Sequence, residues 1–420
     1  MGKIHSSIPW DDLVTVFNIS EKTTGRKCLF SPKGKIALLF LKNYSGCSDK
    51  KLIEHLNSNF DYQFFCDIEL GFERLTNFKI VSQIRCELAA HLNIHKTEKV
   101  LFNAWKPYMN DLNQVVTDAT CYESELRYPT DQKLLWEAVH WLYQQLKTIC
   151  KLIGIKLLRT KYRKVKSRYQ GYSKMRRKTT KKRKGLTRSL LHLLHKLLNF
   201  EYELNLSNNK KIELNTQYYK RLAIIHKICQ QQKMYFETGE NIKNRIVSIH
   251  KDYIRPIVRG KETKSVEFGA KVNKIMIDGI SFIEHLSFNA FNEGTRLKSS
   301  IAKAQSLTQT KILAIGADKI YATNKNRTYC SEQGIKTDFI PKGRKPKNHK
   351  EKQLIRNMIS KERSTRLEGS FGKDKNHYYL KKIKAKTRKN EILWIFLGIH
   401  TGNALEIGRR KLALKEKQAA

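Results

Sequence analysis

Acidic residues are scarce in this sequence. Its 420 residues include 38 Asp and Glu against 82 Lys and Arg, which gives a formal net charge of +44 at pH 7. A charge of this size exceeds what solubility requires, and it opposes compaction unless an anionic partner is bound. Nucleic acid is therefore the partner we expect, and a membrane surface is the less favoured alternative.

Long hydrophobic runs and paired cysteines are also absent. The most apolar late segment, EILWIFLGIHTGNAL at 391–405, is too short to cross a bilayer and contains His400 and Asn403. The N-terminal residues MGKIHSSIPWDDL lack the apolar core of a signal peptide. The eight cysteines form no CxxC pair, which favours reduced thiols over disulfides or a zinc site. These absences predict a cytoplasmic protein.

Enough apolar residues are present for a folded core. The chain is 40% hydrophobic and 10% aromatic, so we expect two or three domains. Residues 1–107 contain short apolar segments with turn residues between them, such as KIALLFLKNYSG at 35–46. This pattern predicts a helical N-terminal domain. A helix-turn-helix-like DNA reader and a plain structural bundle both remain compatible with it.

Residues 132–239 have the pattern of a helical block with a very basic centre. About half of the residues from 156 to 188 are Lys or Arg, and three tyrosines are interleaved with them. A solvated linker is one interpretation. We favour nucleic-acid contact, because dense cationic side chains neutralise phosphates and tyrosines can stack on bases. The candidate DNA-binding residues are Arg176, Arg177, Lys181, Lys182 and Arg183.

The pattern changes to β-structure after residue 240. An Asp-Gly pair joins AKVNKIMI to SFIEHLSF and predicts a hairpin at Asp278. KILAIGADKIYATNKNR, at 311–327, begins as an apolar run that indicates a buried parallel-type strand and reaches the carboxylate of Asp318. The β-branched run NQVV is followed by Asp118 in the same way. These runs predict strands that end at aspartates.

Three carboxylates therefore stand out in a basic chain: Asp118, Asp318 and Glu368, the last within the helical stretch KERSTRLEGSFGKDK. Carboxylates on separate elements can converge to hold two divalent cations about 4 Å apart, which is the chemistry of phosphodiester cleavage and joining. Mg²⁺ prefers such hard oxygen ligands. Each residue also has an ordinary explanation, since the aspartates could cap turns and Glu368 could pair with Arg366 or Lys375.

Segments in a fixed order resemble those of the DDE-type transposases of bacterial insertion sequences. KIALLFLKNYSGCSDKKLIEHLNSNFDYQFFC resembles the N-terminal domain of that group. Five further segments carry the resemblance through the rest of the chain: TDATCYESELRYPTDQKLLWEAV, RPIVRGKETKSVEFGAKV, FNEGTRLK, GADKIYATNKNRTYCSEQGI and STRLEGSFGKDKNHYYL. Together they extend over nearly all of the sequence.

The resemblance implies a mixed α/β fold with a ribonuclease-H-like catalytic domain. The implied organisation is a helical N-terminal domain at 1–107, a catalytic domain at 108–131 and 240–410, and a basic helical insertion domain at 132–239. Asp118, Asp318 and Glu368 would then be the catalytic residues and the ligands of two Mg²⁺ ions, which Mn²⁺ could replace. Asp278 also ends a strand and is the alternative to Asp318.

Many relatives carry a Tyr, Arg, Glu and Lys signature around the catalytic Glu. Lys375 stands seven residues after Glu368, as that signature requires, but Lys361 and Ser364 occupy the Tyr and Arg positions. Basic residues nearby or in matching segments are expected to contact DNA phosphates: Lys375, Arg255, Arg259, Arg363 and Arg366.

The implied activity is DNA cleavage at the ends of a mobile element, followed by joining of the 3′-hydroxyls to target DNA. The implied partners are inverted-repeat ends, target DNA and a second subunit in a homodimer, in the bacterial cytoplasm at the nucleoid. Two alternatives remain: a related metal-dependent DNA endonuclease and a catalytically silent DNA-binding protein.

Overall fold

The computed structural model describes residues 1–21, 28–207, 214–258, 266–342 and 349–419. The chain divides into two compact units, one made of Met1–Glu125 and Glu262–Ala420, the other of Leu126–Lys261. The three-domain division expected from the sequence is finer than this and stays a prediction. Arg259 lies outside the described residues. Within the described ranges, no helix has the length and apolar character needed to cross a membrane.

The first unit opens with helices, as the sequence predicts for residues 1–107. Ser31, Ser48 and Asn93 cap three of them, because each side-chain oxygen accepts a backbone N–H of the first turn. Buried leucines, isoleucines and aromatic residues line their inner faces. The helices are α1 Gly2–His5, α2 Trp10–Phe17, α3 Pro32–Ser45, α4 Asp49–Ser58, α5 Phe60–Phe65, α6 Lys79–His91 and α7 Ile94–Trp105.

The second unit contains four long helices in its described residues: α8 Asp131–Ile153, α9 Tyr162–Lys174, α10 Thr180–Ser207 and α11 Thr216–Thr238. Leucine side chains of α8 and α10 form most of their shared core. An aromatic cluster adds to it, in which the rings of Tyr143 and Tyr162 stack at 3.7 Å between centroids. The helices predicted for residues 132–239 are therefore present and share a hydrophobic core, while their role as an insertion domain stays a prediction.

A mixed sheet forms the centre of the first unit. Its strands are β1 Gln114–Ser124, β3 Val266–Ile277, β4 Ile280–Ser287, β5 Ala314–Ala317, β6 Lys336–Thr337 and β7 Lys382–Ile383. Their order is β4-β3-β1-β5-β6, and β7 pairs with the last residues of β1. β3 runs antiparallel to both β1 and β4, while β5 is parallel to β1 and β6 is parallel to β5. The predicted mixed α/β fold class is confirmed. β2 Pro256–Val258 belongs to the second unit.

Two strand predictions have different outcomes. The β3–β4 hairpin is confirmed, and its turn residues Asp278 and Gly279 have φ of 44° and 78°, as a two-residue turn with both central residues left-handed requires. The prediction that a strand ends at Asp118 is wrong. β1 continues to Ser124, because residues 119–123 keep pairing with β3, Ser124 pairs with Ile383, and the ring of Tyr122 is buried.

Helices cover this sheet after β4: α12 Leu297–Thr308, α13 Asn324–Glu332, α14 His349–Glu362, α15 Glu368–His377 and α16 Arg388–Ala419. A π-helical turn, Arg363–Leu367, joins α14 to α15. Leu367 at the end of that turn packs against Val116 of β1 and Met276 of β3. The segment that carries Glu368 is thus fixed to the sheet face to which Val116 contributes.

Candidate active site

Sheet register places two of the three selected carboxylates side by side. β1 and β5 are parallel, and Thr117 pairs with Ala317. Asp118 directly follows Thr117, and Asp318 directly follows Ala317. Because neighbouring strands lie about 4.8 Å apart, both aspartates occupy the same edge region of the sheet.

Asp118 lies in a partly buried and negatively charged environment. Its Oδ1 accepts the backbone N–H of Ala119 at 2.7 Å. Burial raises the pKa of Asp118 to about 6, and the negative charges of Glu293 and Asp318 act in the same direction, while Arg363 acts against them. The ionised carboxylate is therefore unfavourable here unless a cation offsets it.

This pKa makes Asp118→Asn a stabilising substitution in metal-free protein at pH 7. A shift from 3.8 to about 6 corresponds to about 3 kcal/mol. Because the folded state binds the proton more tightly, wild-type stability falls as pH rises from about 4 to 6. Denaturant unfolding with a chelator should therefore show the Asn variant about 3 kcal/mol more stable at pH 7, and under about 1 kcal/mol more stable at pH 4. The control Glu332→Gln, at an exposed position, should change the free energy of unfolding by no more than about 0.5 kcal/mol. If wild type and Asp118→Asn were equally stable at pH 7, the buried and negatively charged environment of Asp118 would be contradicted.

Asp318 begins a short 3₁₀ turn, Lys319–Tyr321, and its Oδ1 accepts the N–H of Lys319 at 2.7 Å. Tyr321 anchors this turn, because its buried hydroxyl donates to Oδ1 of Asn273 at 2.5 Å. The carboxylate of Asp318 itself is exposed. The Asp-x-x-Tyr spacing thus has a structural reason, since the tyrosine ties the turn after Asp318 to β3.

Glu293 is a nearby carboxylate to which the sequence analysis gave no role. It starts a 3₁₀ turn, and its side chain pairs with Lys271 at 2.7 Å. Gly294 packs against the backbone oxygen of Ile320, where an added Cβ would stand only 2.6 Å away. Glycine is required for this approach, which brings the Glu293 segment against the turn that follows Asp318. In the sequence this close approach is marked by the segment FNEGTR, in which Gly294 directly follows Glu293. Such a pair is common, so it does not by itself select Glu293 as a site residue.

Glu368 forms an ion pair with Arg363. Nη1 of Arg363 lies 3.5 Å from its Oε1, and Nε of Arg363 lies 3.5 Å from Oδ2 of Asp338. Asp338 also accepts the N–H of Ala317 at 3.0 Å. Asp338 follows β6 just as Asp318 follows β5, but it was not among the carboxylates predicted from the sequence. Across the described ranges, no group of three His, Cys, Asp or Glu residues is close enough to hold a metal ion.

Helix α15 nevertheless lies over the sheet face that includes Asp118. Nζ of Lys375 donates to Oγ1 of Thr120 at 3.0 Å. At the preceding residue, Oδ2 of Asp374 accepts from the hydroxyl of Tyr122 at 2.5 Å and from Nζ of Lys274 at 2.7 Å. Lys274 is the residue of β3 that pairs with Asp118. These contacts hold the C-terminal half of α15, the helix that begins at Glu368, against β1 and β3.

The remaining predicted DNA contacts are in varied environments. Arg366 is half-exposed and pairs with Glu362 at 3.0 Å. Arg255 donates to backbone oxygens of its own segment, and burial lowers the pKa of its guanidinium. The basic residues of the second unit are exposed on the α9–α10 connection and the first turn of α10: Arg176, Arg177, Lys181, Lys182 and Arg183.

The carboxylate of Asp278, the alternative to Asp318, is engaged in hydrogen bonds and ion pairs within the protein. Oδ2 accepts from Nη1 of Arg410 at 2.7 Å and from the N–H of Asn110 at 2.9 Å. Arg366 lies 3.5 Å from its Oδ1. Asp278 lines a cleft of about 120 Å³ together with Asp111, Gln114, Val116, Met276, Glu362 and Arg366. The contacts of Asp278 favour a role in fixing the hairpin turn.

The donor set at Asp118 and Asp318 fits a hard divalent cation. Both supply carboxylate oxygens, and the raised pKa of Asp118 comes from burial with nearby negative charge, which a cation would relieve. Glu368 is a carboxylate of the same kind, but it pairs with Arg363 and forms no metal-sized group with the two aspartates in the part of the chain that the structure describes. The structure thus brings two of the three predicted ligands together.

Comparison with protein families gives two matches. Residues 315–399 match the model described as Transposase DDE domain, and residues 1–87 match the Transposase domain (DUF772). No curated protein and no solved structure matches the chain significantly. The first match includes Asp318 and Glu368, and the sheet has the mixed order of a ribonuclease-H-like fold. Together the two matched segments support a DDE-type transposase of an insertion element.

Proposed function

We propose that this DNA transposase cleaves the ends of its element and joins the freed 3′-hydroxyls to target DNA. The observation that carries the proposal is the pairing of β1 with β5, which sets Asp118 beside Asp318 where the carboxylate of Asp118 has a raised pKa. A catalytically silent DNA-binding protein would not need such crowding of carboxylates. The crowding therefore favours the enzyme.

Asp118, Asp318 and Glu368 would hold two divalent cations. These would be Mg²⁺, which Mn²⁺ could replace. Two bound cations supply activation of the attacking oxygen and stabilisation of the leaving oxygen. In the chain itself, Asp118 is positioned by the N–H of Ala119 and Asp318 by the N–H of Lys319. Each aspartate uses Oδ1 for this backbone contact, so the other oxygen of each carboxylate can serve a ligand.

Arg363 would change partners when DNA binds. Its guanidinium lies between Glu368 and Asp338, and its positive charge opposes the rise in the pKa of Asp118. A DNA phosphate is a strong bidentate acceptor for arginine. Its arrival would draw Arg363 away and leave Glu368 able to join the two aspartates. Arg366, which is half-exposed, and Lys375 would contact the adjacent backbone.

The partners we propose are the inverted-repeat ends, target DNA and a second copy of the chain, because two ends must be brought together. The bacterial cytoplasm, at the nucleoid, is the location that fits these partners. Purified protein incubated with Mg²⁺ and DNA bearing the flanking inverted repeats tests the activity. Cleavage followed by joining is expected, whereas cleavage alone would indicate the endonuclease, and binding without reaction would exclude both enzymes.

The basic start of α10 should account for part of the salt dependence of DNA binding. Replacing Lys181, Lys182 and Arg183 by Ala removes three exposed cations, so the slope of log K against log salt should become shallower by up to about 3. A matched control replaces the exposed cations Arg409, Lys415 and Lys417 of α16. Binding isotherms at several salt concentrations measure both slopes, and equal slopes in the two triple variants would remove the α10 residues from the DNA interface.

A further inference from the structure

A fully buried asparagine lies on the strand beside Asp118. Asn273 of β3 pairs with Ala119 of β1, the residue that directly follows Asp118, and none of its surface is accessible to solvent. A polar side chain at this depth is costly unless both ends of its amide have hydrogen-bond partners. Asn273 has these partners, and they belong to segments that lead to both aspartates of the candidate site.

Chemistry fixes the orientation of the Asn273 amide. Its Oδ1 accepts the hydroxyl of Tyr321 at 2.5 Å, and its Nδ2 donates to Oε2 of Glu284 at 2.8 Å and to Oγ of Ser300 at 3.1 Å. Glu284 is ion-paired with Arg296, and an ionised carboxylate can only accept, so the amide nitrogen must face it. Burial raises the pKa of Tyr321, which keeps its hydroxyl protonated as a donor. Asn273 therefore has one arrangement in which all of these bonds form.

The network reaches the Asp118 segment through α12. Oγ of Ser300 lies 3.1 Å from Oγ1 of Thr117, the residue directly before Asp118. Thr117 also donates to the backbone oxygen of Lys274 at 3.0 Å. The side chains of Thr117, Asn273 and Ser300 are all fully buried. Water therefore does not compete for these bonds, and β1 is fixed to β3 and α12 at the residue that precedes the first aspartate.

The network also fixes the turn after Asp318. The N–H of Tyr321 donates to the backbone oxygen of Asp318 at 2.9 Å, so the tyrosine that Asn273 binds closes this turn. A second buried amide, Asn326 of α13, donates from Nδ2 to the backbone oxygens of Tyr321 and Gly294, both at 2.7 Å. The backbone around Asp318 is thus held from β3 on one side and from α13 on the other.

We propose that Asn273 is a positioning residue that sets the separation of Asp118 and Asp318, so that the pair is preformed before a divalent cation binds. Asn273 acts through Ser300 on the segment of Asp118 and through Tyr321 on the turn of Asp318. Buried with both amide ends engaged, it touches neither cation nor DNA. Residues that orient ligands in this way control metal affinity without contacting the metal. The inference rests on the proposed function, because it requires the two aspartates to bind a cation.

Mn²⁺ binding to the full-length protein without DNA tests the proposal, with free Mn²⁺ measured by electron paramagnetic resonance. The wild type should bind Mn²⁺, because the pair is preformed. Asn273→Ser and Tyr321→Phe should each weaken Mn²⁺ affinity at least about tenfold, as expected when a residue that orients a ligand is lost. Tyr321→Phe keeps the buried ring and removes only the hydroxyl, so it carries the test if Asn273→Ser fails to fold. Circular dichroism checks the folding of each variant.

The matched control is Asn403→Ser. Asn403 is also buried, and its amide forms two hydrogen bonds with the backbone of Ser281, at 2.6 and 3.0 Å, which join α16 to β4. Sites without shared partners act independently, so this variant should have a lower melting temperature but a Mn²⁺ affinity within about twofold of the wild type. A purely structural role for Asn273 would give the same result in Asn273→Ser as in this control.

The outcomes distinguish this inference from the proposed function. If Asp318→Asn left Mn²⁺ affinity unchanged, the aspartates would not be the cation site, and the proposed function would fail together with the inference. If Asp318→Asn weakened binding while folded Asn273→Ser and Tyr321→Phe bound Mn²⁺ like the wild type, the inference alone would be overturned. Equal weakening in Asn403→Ser, or a wild type that binds Mn²⁺ only when DNA is present, would also overturn it.

Discussion

Asp318→Asn is expected to lower strand cleavage at least about 10³-fold while DNA affinity changes less than about twofold. A bound cation stabilises transition-state charge by several kcal/mol, and about 4 kcal/mol corresponds to a factor of 10³ in rate. The amide keeps the size of the side chain, and its oxygen can still accept the N–H of Lys319. The turn after β5 should therefore stay intact. Single-turnover cleavage of an inverted-repeat duplex and a parallel binding isotherm measure the two effects.

Asp278→Asn is the matched control for this experiment. It also follows a strand, but its carboxylate is bound to Arg410 and the N–H of Asn110. We expect cleavage within about tenfold of the wild type, accompanied by some loss of stability, because a partly buried ion pair is broken. If Asp278→Asn abolished cleavage and Asp318→Asn retained it, the two roles would be exchanged.

The closeness of Asp118 and Asp318 was predictable from local patterns. Apolar β-branched runs that lead to a carboxylate indicate strands, and parallel neighbouring strands bring such residues to one edge. The end of β1 was not predictable in this way. The residues after Asp118 are mixed in polarity, and they stay in the strand because β3 pairs with them on one side and β7 joins their last two residues.

The spacing of the Tyr, Arg, Glu and Lys signature places the arginine at Ser364 instead of Arg363, and the reason is physical. A signature counted in α-helical residues assumes regular turns, but Arg363–Leu367 is a π turn, which inserts one extra residue into the helix. Ser364 therefore occupies the expected arginine position by count, while Arg363 is the residue whose guanidinium contacts Glu368. Nothing in the composition of RSTRL indicates a π turn. Its position depends on how Leu367 packs against the sheet.

Glu293 and Asp338 could not be assigned from sequence because their relation to the site is non-local. Asp338 is linked to it through Arg363 and the N–H of Ala317, and Glu293 through the close packing of Gly294 on Ile320. Such contacts depend on three-dimensional packing between segments distant in sequence. A carboxylate after a short strand or beside a glycine is too common to select without it.

A buried ion pair beneath α15 has the second large expected effect. Lys274 and Asp374 are almost fully inaccessible, and they share a hydrogen-bond network with Tyr122 and Ser370. Burial lowers the pKa of Lys274, which the carboxylate of Asp374 opposes. Removing one partner leaves the other charge buried without compensation, whereas removing both leaves no such charge.

Lys274→Met is therefore expected to lower the free energy of unfolding by about 3–5 kcal/mol. The double variant Lys274→Met with Asp374→Leu should recover more than half of that loss, since no buried charge then remains. Because α15 carries Glu368, the double variant should still show impaired cleavage, with the loss in kcat rather than in DNA affinity. Lys50→Met, which breaks an exposed pair with Glu54, is the control and should cost no more than about 0.5 kcal/mol. Denaturant unfolding and single-turnover cleavage test the network. A Lys274→Met variant as stable as the control would show that the ion pair does not hold α15. A stable, fully active double variant would show that Glu368 is positioned without the pair.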